Sequence, residues 1–95
     1  MEKSKFKTLD ELKEYLRERE YEDTIVFENP DYCTAAVGLT DNGRVVYNFE
    51  FMVEHLMEKD GMEYEEAVEF IEYNTIRAVP YAGEMGPIII YDFNE

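Results

Sequence analysis

Apolar side chains near the start of the chain recur at the spacing of an amphipathic helix. Thr8, followed three residues later by Glu11, has the form of a capping box, in which each side chain accepts a hydrogen bond from the other residue's backbone. The apolar residues that follow at helical spacing are Leu9, Leu12, Tyr15 and Leu16. The pattern predicts a first helix from about Leu9 to Arg19. We expect the Lys-rich residues 1–7 before it to be a frayed basic leader.

The next part of the chain alternates β-branched and aromatic residues with turn residues, which favours strands. We predict strand 1 at Thr24–Phe27, strand 2 at Tyr32–Leu39 and strand 3 at Arg44–Asn48. The segment Asp41-Asn42-Gly43 between the last two strands indicates a tight hairpin, because an Asn-Gly pair readily adopts the positive φ angles that such a turn requires.

Beyond residue 48 the period of the apolar positions lengthens from two residues to about 3.6 residues. The pattern predicts a second helix, whose apolar stripe consists of Phe49, Met52, Val53, Leu56 and Met57. His55 lies on the opposite, polar face, and Gly61 suits the C-terminal cap of this helix. A third helix is predicted from Tyr64 to about Ala78, with Pro80 as its stop. Its inward positions are Tyr64, Ala67, Val68, Ile71 and Thr75. Ile88–Tyr91 lacks polar alternation, which predicts a last strand buried on both faces at the centre of the sheet.

These elements predict a single small α+β domain over residues 1–95, in the order α-β-β-β-α-α-β. Four strands form a mainly antiparallel sheet, and the helices pack on one face of it as a second layer. Cys33 is the only cysteine, so no disulfide forms within the chain. The start leads into no apolar run typical of a signal peptide, and no apolar stretch is long enough to span a bilayer. We therefore expect a cytoplasmic protein with no membrane partner.

Negative charge is unevenly distributed along the chain. The sequence has 23 acidic and 9 basic side chains, a formal net charge of −14. Residues 1–20 contain six of each sign, so the whole excess falls on residues 21–95, where the only basic side chains are Arg44, Lys59 and Arg77. Because phosphates attract Lys and Arg, this composition argues against direct binding of nucleic acid or an anionic membrane. It favours a basic protein surface or cations as partners.

Carboxylates recur at helical spacing in the second and third helices. Glu54 and Glu58 are one turn apart, and one face of the third helix carries Glu65, Glu69 and Glu72. Like charges at such spacings destabilise a helix by about 0.2–0.5 kcal/mol per pair. We take these five glutamates, with Arg77, as the candidate partner-binding residues. A solvated face that serves only solubility is the alternative. A second alternative is that these carboxylates bind a hard cation, although the Asp-x-Asp-x-Asn-Gly calcium loop is absent.

Few side chains offer catalytic or metal chemistry. His55, the only histidine, is predicted on the polar side of the second helix with an ordinary surface role, and Cys33 is most simply a small core side chain. A Cys33–His55 dyad is the alternative, which no local motif supports. One His and one Cys disfavour a transition metal, and the loop 82–87 has no Lys to hold a phosphate, so we predict no cofactor. In the unusual segment 73–77, Arg77 would complement a helix C-terminus, with binding or anchoring as the alternative.

A family resemblance rests on several short motifs between Ala36 and Tyr91. They are Val37-Gly38-Leu39-Thr40, Gly43-Arg44-Val45-Val46-Tyr47, Met52-Val53-Glu54, Gly61 with Glu66-Ala67, and Tyr73-Asn74-Thr75-Ile76-Arg77-Ala78 with Pro80-Tyr81 and Pro87-Ile88. On these motifs the chain resembles a family of small acidic proteins of phages and mobile elements in Firmicutes. The family has no settled activity, so the resemblance implies a biological context and no functional residue.

Charge and context together favour a non-enzymatic acidic binding protein. By analogy with inhibitors of host defence nucleases such as anti-CRISPR proteins, its Glu-rich helices would mimic nucleic acid and contact the basic groove of a nucleic-acid-binding nuclease. Complementary charge would speed this association, and salt would weaken it. One alternative is a regulatory or scaffold protein that forms homo- or hetero-oligomers, such as a homodimer through a strand edge or the first helix. Another is a small enzyme that uses Cys33, His55 or a carboxylate pair.

Overall fold

The first helix begins where the capping box places it. The computed structural model describes residues 2–93, and in it α1 spans Leu9–Glu18. The Thr8 hydroxyl accepts a hydrogen bond from the Glu11 N–H at 3.2 Å, and the Glu11 carboxylate accepts one from the Thr8 N–H at 3.2 Å. Leu12 and Leu16 are buried, so the apolar stripe faces the core. This part of the sequence prediction is confirmed.

The segment before the hairpin contains no strand, which corrects two predictions. Residues 24–27 belong to no strand and no sheet. Their backbone donors find separate partners instead: the Ile25 N–H donates to the Met85 carbonyl at 3.0 Å, and the Phe27 N–H to the Tyr47 hydroxyl at 3.3 Å. The predicted second strand loses its first half, because Tyr32 has a left-handed backbone (φ 47°) and residues Cys33–Ala35 form a 3-10 turn.

The hairpin is confirmed and forms the local part of the sheet, but its turn has a positive φ angle at Gly43 only and not at Asn42 as predicted. Strands β1, Ala36–Leu39, and β2, Val45–Asn48, pair antiparallel with Leu39 opposite Val45. Gly43 has φ 88°, and a Cβ at this position would lie 2.8 Å from the Tyr21 ring. Glycine is therefore required here both by the backbone conformation and by the close packing.

Two α-helices, α2 and α3, follow β2 along the chain. α2 spans Phe49–Asp60, begins with the Asn48 side chain accepting from the Phe51 N–H at 3.0 Å, and ends at Gly61 in the left-handed conformation. α3 spans Tyr64–Phe70. The chain then continues as a π-helical turn, Ile71–Thr75, and a 3-10 helix, Ile76–Ala82. The predicted stop at Pro80 is wrong, because the α-helical bonds end at Phe70 and the 3-10 helix contains the proline.

The last strand corrects the predicted sheet. β3, Ile88–Ile90, pairs parallel with β2, with Tyr47 opposite Ile89. The sheet therefore has three strands in the order β1-β2-β3, and it is mixed instead of four-stranded and mainly antiparallel. β3 lies at an edge with all three isoleucines half-buried, so the uninterrupted apolar run did not mark a central strand. The long crossover through α2 and α3 returns β3 in the direction of β2, as parallel pairing requires.

One apolar core joins the helices to the sheet in this mixed α+β domain. Its fully buried members from the sheet and the two longer helices include Leu12, Val45, Tyr47, Met52, Val53 and Leu56. The Phe27 ring packs at 5.3 Å from the Tyr32 ring and 4.7 Å from the Tyr47 ring, measured between ring centres. The segment 24–27 thus covers the core through its side chains, without pairing in the sheet.

Candidate functional site

The outer face of the third helical segment presents a row of carboxylates. Ala67, Ile71 and Thr75 are buried four residues apart, which turns Glu65, Glu69 and Glu72 to the opposite side. All three glutamates are exposed, and no ion pair engages any of them within residues 2–93. We call Glu65, Glu66, Glu69 and Glu72 the acidic face. Glu66 is also exposed, and the sequence prediction did not include it.

The two candidate glutamates of α2 have different surroundings. Glu54 is half-buried and pairs with Lys3, and the hydrogen bond to Glu54 raises the pKa of the Lys3 amine. Glu58 is exposed. The structure thus brings the basic leader onto Glu54 and compensates its charge, so α2 contributes less free negative charge than the sequence pattern indicates. The leader also contacts the body of the molecule through Ser4, whose N–H donates to the Thr34 carbonyl at 3.2 Å.

Two tyrosines border the acidic face. Tyr64 is 49% exposed, which corrects its predicted inward position: it starts α3, and its hydroxyl donates to Glu50 on α2 at 3.0 Å. Tyr73 is 61% exposed, and the Arg77 guanidinium lies 5.2 Å from the centre of its ring. The predicted helix-capping role of Arg77 does not arise, because the chain stays helical through Ala82. The number of tyrosines in the sequence does not say which of them are exposed, so these two were not predicted as part of the site.

The polar residues of the segment 73–77 account for its irregular geometry. The Thr75 hydroxyl lies 2.8 Å from the Tyr32 hydroxyl, and both residues are buried. The Asn74 amide donates to the Phe70 carbonyl at 3.2 Å. The π-helical turn therefore has one residue anchored in the core and one bonded to the preceding turn. This arrangement directs Glu72 and Tyr73 to the surface.

His55 belongs to a buried polar network, which corrects its predicted surface position. Its side chain is only 6% exposed. Nδ1 lies 2.8 Å from the Thr34 hydroxyl, and Nε2 lies 3.4 Å from the Asp31 carboxylate, which also accepts the Cys33 N–H at 3.1 Å. The carboxylate favours the tautomer with hydrogen on Nε2, so that the Thr34 hydroxyl donates to Nδ1. Burial lowers the pKa of His55, against the opposing effect of Asp31.

The network adjoins a shallow cleft but does not assemble an activated nucleophile. The cleft has a volume of about 360 Å³ and is lined by residues that include Asp31, Cys33, His55 and Lys59. Burial and the nearby Asp31 carboxylate raise the pKa of the Cys33 thiol to about 11, so the thiol is protonated at neutral pH. Thr34 does not line this cleft. The chemistry visible here is a set of hydrogen bonds that fixes the turn at 31–35 onto α2.

Comparisons with known proteins add no assignment. No protein-family model matches the chain, and neither a curated protein nor a solved structure matches it. The resemblance to the phage and mobile-element family accordingly stays a prediction. In the part of the chain that the structure describes, every helix is too short or too polar to cross a membrane. Over the same residues, no group of three or more His, Cys, Asp and Glu side chains is placed to hold a metal ion.

Proposed function

We propose that this protein is a non-enzymatic acidic binding protein whose acidic face occupies a basic, nucleic-acid-binding groove of another protein. The observation that carries the proposal is the exposure of the four carboxylates of Glu65, Glu66, Glu69 and Glu72 on one short helical segment, none of them in an ion pair with any residue from 2 to 93. A defence nuclease of the bacterial host cell is the partner class that fits this charge. The protein would then act as an inhibitor that mimics nucleic acid, in the manner of an anti-CRISPR protein encoded by a phage or mobile element.

The spacing of the carboxylates supports mimicry. The acidic face extends over the seven-residue rise between Glu65 and Glu72, about 10 Å of helix axis, with about one charge per 3.5 Å. A single strand of DNA carries a phosphate about every 3.4 Å of its axis. A groove lined by Lys and Arg at phosphate spacing would therefore meet a comparable linear density of negative charge.

The bordering tyrosines and Arg77 supply contacts that charge alone does not. Tyrosine contributes a large rigid ring and a hydroxyl to an interface at low entropic cost, and tyrosine and arginine are enriched at protein interfaces. Tyr64 and Tyr73 are both exposed next to the acidic face, and Arg77 lies over the Tyr73 ring. Together they form a rim around the carboxylates, and Glu58 on α2 adds a further exposed negative charge.

Neutralising the acidic face tests the proposal. The triple variant Glu65→Gln, Glu69→Gln, Glu72→Gln keeps side-chain shape and removes three charges from exposed positions. We expect it to fold as the wild type does, because like-charge repulsion is relieved. Immobilised wild-type protein should capture basic nucleic-acid-binding proteins from bacterial lysate at about 0.1 M salt and release them at about 0.5 M salt. Added duplex DNA or RNA should displace the captured proteins by competing for the same groove. The triple variant should capture at least tenfold less, a difference of about 1.4 kcal/mol.

A matched control separates the acidic face from net charge. Glu14, Glu18 and Glu20 are exposed and lie in the electrically neutral first 20 residues, so their triple change to Gln alters the net charge by the same amount. The control variant should capture the same proteins as the wild type. Equal loss in both variants would reduce the effect to net charge, and capture that nucleic acid does not displace would contradict the mimicry.

A further inference from the structure

A groove with several apolar side chains in its lining includes none of the residues of the acidic face. It has a volume of about 530 Å³ and runs between α1, β1 and the leader residues 2–6. Leu12 and Leu16 of α1 and Val37 and Leu39 of β1 contribute apolar side chains to it. A groove of this size and character is large enough to take up side chains of a bound chain.

The groove opens onto an unprotected strand edge. The sheet order places β1 outside β2, and within residues 2–93 β2 is the one strand that pairs with β1. Gly38 in this strand is exposed, and no atom lies within 4 Å of the place where a Cβ would stand. The Ser4 N–H donates to the Thr34 carbonyl just before β1 begins, so the leader contacts this side of the molecule next to the strand. Such an edge is a template for another strand.

Charge selects a second copy of the chain as the occupant. Two molecules with a net charge of −14 repel each other, but the first 20 residues, which form the leader and α1, contain six charges of each sign, and β1 contains none. Glu2 and Lys5 both line the groove, and Lys5 is in no ion pair within residues 2–93, so a two-fold contact can set Lys5 of each copy opposite Glu2 of the other.

We propose that two copies associate through antiparallel pairing of their β1 edges, so that the two three-stranded sheets join into one of six strands. The side chains of each β1 edge then cover the groove of the other copy, and α1 and the leader form the rim of the contact. The acidic faces lie outside this contact. Dimerisation is therefore independent of the proposed inhibition, and either can fail without the other.

Sedimentation over a concentration series tests the association. The expected mass rises from 11.3 kDa at low concentration toward twice that value, and the dimer strengthens when salt rises from about 50 to about 500 mM, because repulsion between the acidic bodies is screened. This response is opposite in sign to that of the proposed partner contact. Val37→Lys, which places a charge in the groove, should weaken the dimer at least tenfold, whereas Met57→Lys, at an exposed position of α2, should leave it unchanged. A monomer at every concentration and salt overturns the proposal and leaves the groove to a segment of another protein.

Crosslinking locates the contact even if Val37→Lys fails to fold. Gly38→Cys adds an exposed thiol where there is free space, and the native Cys33 is buried and does not compete. A strand rises about 3.3 Å per residue, so a bismaleimide of about 8 Å reaches between two Gly38 positions even when the register is offset by two residues. Gly38→Cys should give a crosslinked dimer within minutes, and Glu69→Cys on the acidic face should not. Equal crosslinking of both, or crosslinking of Glu69→Cys alone, overturns the assignment of the surface.

Discussion

At the residue scale, His55 shows how a polar side chain can belong to the core. Successive residues of a helix are rotated by about 100°, which places His55 and Met57 at similar angles on the two borders of the α2 stripe. Hydropathy favoured Met57, yet Met57 is 38% exposed and His55 is 6% exposed. The reason is that each ring nitrogen has a polar partner: the Thr34 hydroxyl lies 2.8 Å from Nδ1, and the Asp31 carboxylate lies 3.4 Å from Nε2. Both partners belong to the turn at 31–35, whereas the sequence pattern predicts a strand from Tyr32 onward. A buried polar group with partners costs little, whereas one without them costs about 1–3 kcal/mol.

The lowered pKa of His55 predicts a pH-dependent contribution to stability. The groups around the ring are Asp31 from the turn and Glu58, Lys59 and Asp60 from α2, and burial is the largest influence. Because the folded state favours the neutral ring, its contribution is complete above the unfolded pKa of 6.5 and is lost as the pH falls through the lower folded value. The stability advantage of the wild type over His55→Gln should therefore shrink from about pH 7 to about pH 5 in chemical denaturation. A constant or growing advantage would contradict this, and the carboxylates remote from the ring, which both proteins share, cancel from the difference.

At the element scale, the accurate predictions rest on local chemistry. A capping box starts α1, an Asn-Gly pair makes the hairpin, and Gly61 ends α2, so each of these signals is complete within a few residues of sequence. The segment 24–27 and the edge position of β3 depend on partners at Tyr47, Met85 and β2 that no local pattern specifies. Three residues of the acidic face, Glu65, Glu69 and Glu72, could be predicted, because burial of every fourth residue fixes which side of the helical segment faces the solvent. The rim tyrosines could not, because Tyr64 turns outward to Glu50 on a different helix.

Three glycines predict a graded series of stability losses. Gly43 combines a positive φ with a close contact to Tyr21, Gly61 has a positive φ but open space, and Gly38 has open space without a positive φ. Replacement by Ala should cost most at Gly43, about 1–2 kcal/mol at Gly61 and close to zero at Gly38, because the left-handed backbone penalises a Cβ. Urea unfolding midpoints measure the order. A loss at Gly38→Ala as large as that at Gly61→Ala would show that space and φ do not govern these sites.

At the scale of the whole molecule, charge and apolar surface are partitioned. The first 20 residues are neutral and border the apolar groove, and the remainder carries the whole net charge of −14. Lys3 reaches from the neutral part to Glu54 of the acidic part, an exposed pair of the kind that contributes about 0–1 kcal/mol. The acidic part therefore folds against its own repulsion, with the core and a few such contacts as compensation.

Self-repulsion predicts that salt stabilises the fold. Raising the ionic strength from about 50 to about 500 mM should raise the thermal midpoint by about 4–8 °C, the shift expected for about 1 kcal/mol in a domain of this size. The thermal midpoint should be measured on the Val37→Lys variant at low protein concentration, because dimerisation then does not contribute to it. The Glu65→Gln, Glu69→Gln, Glu72→Gln variant, combined with Val37→Lys, should respond less to salt. An equal response would place the repulsion elsewhere in the molecule.

The parallel pairing of β2 with β3 sets an order of assembly. β1 and β2 meet across a short turn, whereas β3 reaches β2 only after residues 49–87 have formed the crossover. Closing the longer loop costs more entropy and comes later, so there is a stage at which the hairpin exists and one side of its central strand is open. During that stage the molecule has two free strand edges, one of which the finished fold covers with Ile88–Ile90. The arrival of β3 thus closes this side of β2, and the finished sheet presents the outer edges of β1 and β3 to other chains.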